Sequence, residues 1–159
     1  LHTEGGCVTS CVMIADALRK FTRSTAVVPY MAISGGTLIA LNAKKLQMGR
    51  NAALSAVDPL IFGQRARHIP EEHEDGIFPL AQEYDSAVSG FLRETLLDRL
   101  RTTDRAALAR AMEVFMGMKA PHAWPIKMPE LQRLGLPAQA AAPEWARFVD
   151  MYRHRLAMR

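Results

Sequence analysis

Val28-Pro29-Tyr30-Met31-Ala32-Ile33-Ser34-Gly35-Gly36-Thr37-Leu38-Ile39-Ala40-Leu41 is the stretch on which the reading of this chain turns. Its first part, together with Ala26 and Val27, is too short and too continuously apolar for an amphipathic helix and predicts a buried strand. Pro29 marks a bulge or a strand end, because proline cannot donate to a sheet ladder. The apolar run stops at Ser34-Gly35-Gly36, and a helical pattern starts at once with Thr37, Leu38, Ile39, Ala40 and Leu41. A serine at such a strand-to-helix turn sits where unpaired backbone N–H groups and the helix dipole favour negative charge. Gly35 and Gly36 remove side chains that would obstruct a carbonyl, and the Gly35 amide stands beside the hydroxyl, where an acyl-transfer enzyme needs a donor. The same residues also suit a plain serine N-cap before an ordinary helix.

Upstream, Thr3-Glu4-Gly5-Gly6 holds a second glycine pair at a helix entrance, able to offer a further backbone N–H across a cleft. Two such loops on one small domain are more specific than either alone. Val8, Cys11, Val12, Ala15 and Leu18 recur at three-and-four spacing and predict an amphipathic helix, with Arg19 and Lys20 in its last turn to suit the dipole. Cys7 and Cys11 are four apart, which is not the CxxC spacing of a redox or zinc site. They are expected to be buried free thiols in a reducing, cytosol-like compartment. No cofactor or metal is expected.

Downstream, two strand-like pieces, Leu46 to Met48 and Ala52 to Val57, flank the turn residues Gly49, Arg50 and Asn51. The order helix, strand, helix, strand predicts an α/β domain. From Asp58 to about Gly76 the chain reads as irregular, with Pro59, Gly63, Pro70 and the acids Glu71, Glu72, Glu74 and Asp75; such a loop suits a lid or binding loop. The second half is mostly helical. Leu80, Tyr84, Val88, Phe91, Leu92, Thr95 and Leu96 share one stripe, and a new helix starts near Asp104 with Leu108, Met112 and Phe115 inward. Met116, Met118 and Met128 add core bulk rather than a cofactor box. Pro129 and Gly135 bracket a short helix, Ala138 to Pro143 reads as a linker, and Trp145, Phe148, Val149, Tyr152 and Leu156 form the face of a terminal helix.

The 159 residues, 49% of them hydrophobic, fit one compact domain with a single core. A formal charge of +4 from 20 basic and 16 acidic residues, dispersed rather than in blocks, gives no footprint for nucleic acid. The basic cluster Arg153, His154, Arg155 and Arg159 reads as a solvated helix face. No apolar run reaches the roughly 18 to 20 residues of a membrane span, and no signal-peptide pattern is present. The expected location is cytoplasmic, with membrane association only through segments outside this chain. The opening on Leu1 with no preceding element reads as the start of a fragment.

Several blocks together resemble the serine dehydrogenase proteinase family: His2-Thr3-Glu4-Gly5-Gly6, Ile14-Ala15-Asp16-Ala17-Leu18, Val28 through Leu41, Ala56-Val57-Asp58-Pro59, His122-Ala123-Trp124-Pro125-Ile126 and Leu134-Gly135-Leu136-Pro137. That family is related to the signal peptide peptidase A enzymes and, more distantly, to the Clp protease subunit and the crotonases. The resemblance covers residues 1–137, with 138–159 as linker and C-terminal helix. It implies a Clp protease/crotonase-like α/β fold of stacked β-β-α units, truncated at its N-terminus and helical in its C-terminal half. It further implies a serine peptidase or other hydrolase acting on a peptide or protein substrate, a homo-oligomer, Ser34 as nucleophile, and the Gly6 and Gly35 amides as an oxyanion hole. Glu4 replaces the proline commonly seen before the glycine pair.

The general base is open at this stage. The Clp subunit uses a histidine, whereas the corresponding Asp-Pro segment here offers Asp58, and a carboxylate alone is a weak base toward a serine hydroxyl. Asp58 could equally anchor the turn ahead of Pro59. Signal peptide peptidases use a lysine, but none occurs between Lys45 and Lys119, while Lys44 and Lys45 stand at the far end of the helix that follows Ser34. His68, His73 and His122 are the remaining candidates, and His2 is expected to help fix the first loop. The alternatives to a peptidase are a catalytically degenerate scaffold that binds or assembles proteins, motivated by the missing lysine, and crotonase-like acyl-CoA chemistry.

Overall fold

The computed structural model describes residues 1–72, 76–100, 104–116 and 120–158 and has a mixed α/β architecture. Helix α1 spans Val8–Lys20; β1 (Thr25–Val28) and β2 (Met31–Ala32) follow, then α2 (Gly35–Asn42), β3 (Lys45–Met48) and β4 (Ala53–Leu54). Pro29 and Tyr30 separate β1 from β2, and the two strands belong to different sheets. The proline thus marks the point where the chain leaves one sheet for the other. Residues 49–52 make the same passage between β3 and β4, so both strand pairs step from the first sheet to the second.

After β4 come β5 (Leu60–Ile61), β6 (Gln64–Arg65), a 3-10 turn at Ala66–His68, and the long helix α3 (Phe78–Leu100). The remaining elements are α4 (Arg105–Phe115), β7 (Ile126–Lys127), α5 (Met128–Arg133), β8 (Ala138–Ala140) and α6 (Pro143–Ala157). The first sheet has the order β1-β3-β8, parallel throughout; the second has the order β2-β4-β7, with β7 antiparallel.

Two sequence expectations change. Ala138–Ala140, expected as linker, is a strand pairing with Leu46–Met48 of β3. The stretch after Asp58 is built rather than irregular in its described part. β5 and β6 form an antiparallel hairpin around Phe62 and Gly63, both at positive φ (51° and 81°), as a tight two-residue turn requires. Ala66, Ile69 and Ala81 then make a small apolar cluster beneath it, and Arg67 pairs with Asp85 of α3 at 2.8 Å. Of the residues expected there, His73 lies outside the described residues, as do Met118 and Lys119.

Helix α2 is buried on nearly every side, which is why its sequence is apolar all round. It packs against α1 and α3, and of its buried polar residues Thr37 and Asn42, the latter is satisfied by the Leu38 carbonyl (2.8 Å) and by Thr95 (3.2 Å). Arg99 of α3 donates to the Ala43 and Lys44 carbonyls and so closes the C-terminal end of α2. On α3, Val88, Leu92, Thr95 and Leu96 are buried as the stripe predicts, whereas Leu80 is exposed. Asp104 caps α4 through the Ala106 N–H at 2.8 Å. Trp145, Phe148 and Tyr152 of α6 form a ladder of ring contacts ending on His2, which also stacks on Tyr30. The Val149 and Leu156 side chains lie outside the described residues. No described helix is long and apolar enough to cross a membrane.

Candidate active site

Ser34 is the second of the two residues between the end of β2 and the start of α2, with φ 54° and ψ −121°. A non-glycine residue held there costs on the order of 1–3 kcal/mol, so the surroundings must enforce it. Buried hydrogen bonds do so. The Ser34 N–H donates to Ser55 Oγ (2.8 Å), whose hydroxyl donates to the Ala56 carbonyl (2.8 Å). The Ser55 N–H donates to Thr37 Oγ1 (3.0 Å), and the Thr37 hydroxyl donates to the Ala32 carbonyl (2.8 Å). The Ser34 side chain makes no capping bond to α2. Its hydroxyl is therefore not an N-cap, and the sequence reading that made it one does not describe this turn.

The first glycine loop is pressed against this turn. Thr3 bridges Ala32 as a short parallel extension of β2, its N–H donating to the Met31 carbonyl (3.2 Å) and its carbonyl accepting from Ile33 (2.9 Å). The Gly5 N–H then donates to Thr3 Oγ1 at 3.0 Å, which turns the chain back. A methyl group on Gly5 would lie 2.8 Å from Ser34 Cβ and 3.3 Å from its Oγ, and Gly5 has φ +114°. One on Gly36 would lie 2.4 Å from Thr3 Cγ2, and one on Gly35 would lie 2.3 Å from Cys11 Sγ and 4.0 Å from the Gly6 nitrogen. Gly5, read from the sequence only as one of a glycine pair, is thus a residue that lets the two loops meet. Gly5→Ala is expected to lower stability by about 2 kcal/mol through backbone strain and overpacking. A thermal melt of the variant superimposing on that of the parent would refute this contact.

The two glycine loops bring Gly6 and Gly35 to one cavity. Among the described residues, neither N–H is taken up by a backbone hydrogen bond. Both glycines line a cavity of about 230 Å³ together with Ser34, Glu4 and His122; Val8, Leu38, Val57, Leu60 and Val88 supply its apolar wall.

His122 reaches this cavity from the turn of residues 121–124, closed by the Trp124 N–H on the Pro121 carbonyl (2.9 Å). Its Nδ1 stands 3.1 Å from Asp58 Oδ1. A carboxylate only accepts, so Nδ1 carries the proton and Nε2 is left as the basic nitrogen. Asp58 is fully buried. Its other oxygen, Oδ2, forms an ion pair with Arg65 Nε at 2.8 Å, a contact not aligned as a directed hydrogen bond. A buried carboxylate needs such partners, because desolvation costs several kcal/mol if it stands alone.

Of the expected site residues, the structure brings Ser34, Gly35 and Gly6 to one cavity and places Asp58 behind it, held to His122. His68 is exposed and lines no part of the cavity, and Lys44 and Lys45 are exposed beyond the end of α2. His2 sits between Tyr30 and Tyr152, away from the cavity. Ser55 and Arg65 were not signalled by any sequence pattern. The expectation of two buried thiols holds only for Cys11, whose thiol burial pushes up; Cys7 is exposed, and hydrogen bonds from the Ser10 and then the Thr9 N–H groups pull its thiol below the ordinary value.

Among known proteins, the profile of the ClpP-like SDH-type serine proteinases matches residues 1–159. The chain belongs to that family. Two relatives come from Methanocaldococcus jannaschii. The uncharacterized protein MJ0137 is 31% identical over 156 residues, 91% of this chain and 54% of the relative. The uncharacterized protein MJ1495 is 30% identical over 154 residues, 90% of this chain and 52% of the relative. The chain thus spans about half the length of these relatives. No solved structure matches it.

Proposed function

We propose that this chain carries the active site of a serine peptidase in which Ser34 is the nucleophile, His122 the general base and Asp58 the group that orients and charges against the imidazole. The observation that carries the reading is the Asp58–His122 contact at 3.1 Å, on a histidine that lines the same cavity as Ser34. It supports a histidine in the role for which no lysine is at hand, and it favours this reading over a degenerate scaffold. Nε2 takes the Ser34 hydroxyl proton as Oγ adds to the scissile carbonyl, then returns that proton to the leaving amine; water repeats the cycle on the acyl-enzyme. The Gly6 and Gly35 N–H groups receive the oxyanion, aided by the N-terminal end of α2. We read β1, β2 and α2 as one β-β-α unit of the Clp/crotonase kind, supported by the step each strand pair makes between the sheets. Self-association is supported by the apolar side chains left exposed on α6, among them Trp145, Phe148 and Met151.

The test is turnover of casein or model peptide amides by the purified protein together with uptake of a fluorophosphonate probe. Absence of both would return the chain to the class of binding scaffolds. The wall of the cavity also sets a preference. Aliphatic Val8, Leu38, Val57, Leu60 and Val88 suit an apolar substrate side chain beside the scissile bond. Peptides with Leu or Met at that position are expected to exceed those with Ala by about tenfold in kcat/KM, the worth of a few buried methylenes. A library profile in which Asp or Ala outperforms Leu would contradict that use of the cavity.

A further inference from the structure

We propose that Arg65 is a positioning residue for this site, one guanidinium locking the loop that carries Asp58 to the loop that carries His122. The inference rests on the Ser34–His122–Asp58 reading and extends it to a residue that touches neither the substrate nor the reacting atoms.

Arg65 ends the β5–β6 hairpin. Its position follows from the tight turn at Phe62 and Gly63 and from the Ala66 N–H donating to the Pro59 carbonyl at 2.9 Å, which folds the end of the hairpin back onto the Asp58-Pro59 segment. The side chain is largely buried, 13% exposed. Nε faces Asp58 Oδ2 at 2.8 Å, while a terminal nitrogen donates to the Ala120 carbonyl, two residues before His122. One partner is a member of the Asp58–His122 contact and the other belongs to the loop that carries its second member. One ties down the acceptor of the imidazole proton and the other ties down the backbone that aims the ring.

The geometry needs arginine in particular. Its planar fork presents separate nitrogens in fixed directions, so one side chain can hold two groups at once; an ammonium at the end of a flexible stem can neutralise Asp58 but cannot also hold Ala120 in a fixed relation to it. The β4–β7 pairing of Leu54 with Ile126 holds the two segments together at a distance of four residues from each member of the contact. Closer to the site, the side-chain links between the two loops among the described residues include this guanidinium and the His122 side chain, while the Asp58 segment is also anchored by the Val57 N–H on the Phe115 carbonyl at 2.6 Å. A shift of about 1 Å in a catalytic base is worth on the order of 10²-fold in rate.

The experiment compares the parent protein with Arg65→Lys and Arg65→Met. It reads kcat and KM on a peptide substrate per folded molecule, the rate of fluorophosphonate inactivation, and the proton resonance of His122 Nδ1–H. Arg65→Met is expected to lose about 10²-fold in kcat with KM within about threefold, with the His122 resonance displaced or broadened. Arg65→Lys keeps the charge toward Asp58 and therefore folds; it is expected to recover only part of kcat, with the resonance still displaced. A lysine variant whose kcat and His122 resonance both match the parent overturns the proposal, as does a methionine variant whose loss of activity equals its loss of folded protein. The underlying triad reading fails differently, when the parent's labelling is insensitive to Ser34→Ala and His122→Ala. The resonance reports on Arg65 in that event too.

Discussion

Asp58→Asn is expected to lower kcat by about 10⁴-fold, the order known for serine hydrolase triads, while the protein keeps its secondary structure. The reason is the tautomer. In the parent, Nδ1 of His122 stands 3.1 Å from Asp58 Oδ1, and in the proposed mechanism it donates there and leaves the Nε2 lone pair to take the serine proton. The amide introduced by the substitution can present an N–H to Nδ1, which moves the ring proton to Nε2 and removes the base. The imidazolium that forms during the reaction also loses its counter-charge. A factor of 10⁴ corresponds to about 5.5 kcal/mol of barrier, far more than a surface ion pair can supply. The same change leaves Arg65 facing a neutral partner in a largely buried place, so a drop in thermal stability accompanies the loss of activity. Kinetics per folded molecule, with circular dichroism on the same samples, separate the two effects. A kcat within tenfold of the parent would mean that Asp58 anchors a turn and no more.

Ser34→Ala is expected to remove about 10⁶-fold of kcat, because the residual rate then comes only from binding and from the oxyanion donors. This substitution is a clean one. The Ser34 hydroxyl caps nothing, and the bond that holds the turn comes from its backbone N–H to Ser55 Oγ at 2.8 Å. Alanine keeps that bond and adopts the strained φ of 54° no less well than serine, so stability should change by less than about 1 kcal/mol. An inactive variant that melts with the parent assigns the chemistry to the hydroxyl. An active one places the nucleophile elsewhere.

The parts of this molecule that could be read from the sequence are those whose physics is local. Ser34 and its glycines announce a strand-to-helix turn within three residues, and Pro29 announces the end of β1 in the same way. The burial stripe of α3 and the Asp104 cap follow from periodicity and from capping chemistry. The base was not legible for the opposite reason. His122 lies 64 residues from Asp58, and only the folded chain decides which of the five histidines meets that carboxylate. Its place in a family-like block made it a candidate, and the contact with Asp58 separates it from His68.

Arg65 was hidden because the hairpin that carries it has strands of only two residues, too short for an alternating pattern. The turn at Phe62-Gly63 left only a glycine as its signal. β8 was misread as linker because Ala138-Gln139-Ala140 has no β-branched residue. Its strand character comes from pairing with β3 rather than from intrinsic preference. Gly5 shows a further limit: a glycine needed for the closeness of two loops looks, in sequence, like any other glycine in a turn.

The most direct measurement of the central claim is to map the adduct formed with a fluorophosphonate probe by peptide mass spectrometry, in the parent and in His122→Ala at equal folded concentration. The account predicts a single adduct on Ser34 that forms at least about 10³-fold more slowly when His122 is absent, since the base supplies the alkoxide character of the nucleophile. An adduct on any other residue, or a Ser34 adduct forming equally fast without His122, would contradict it.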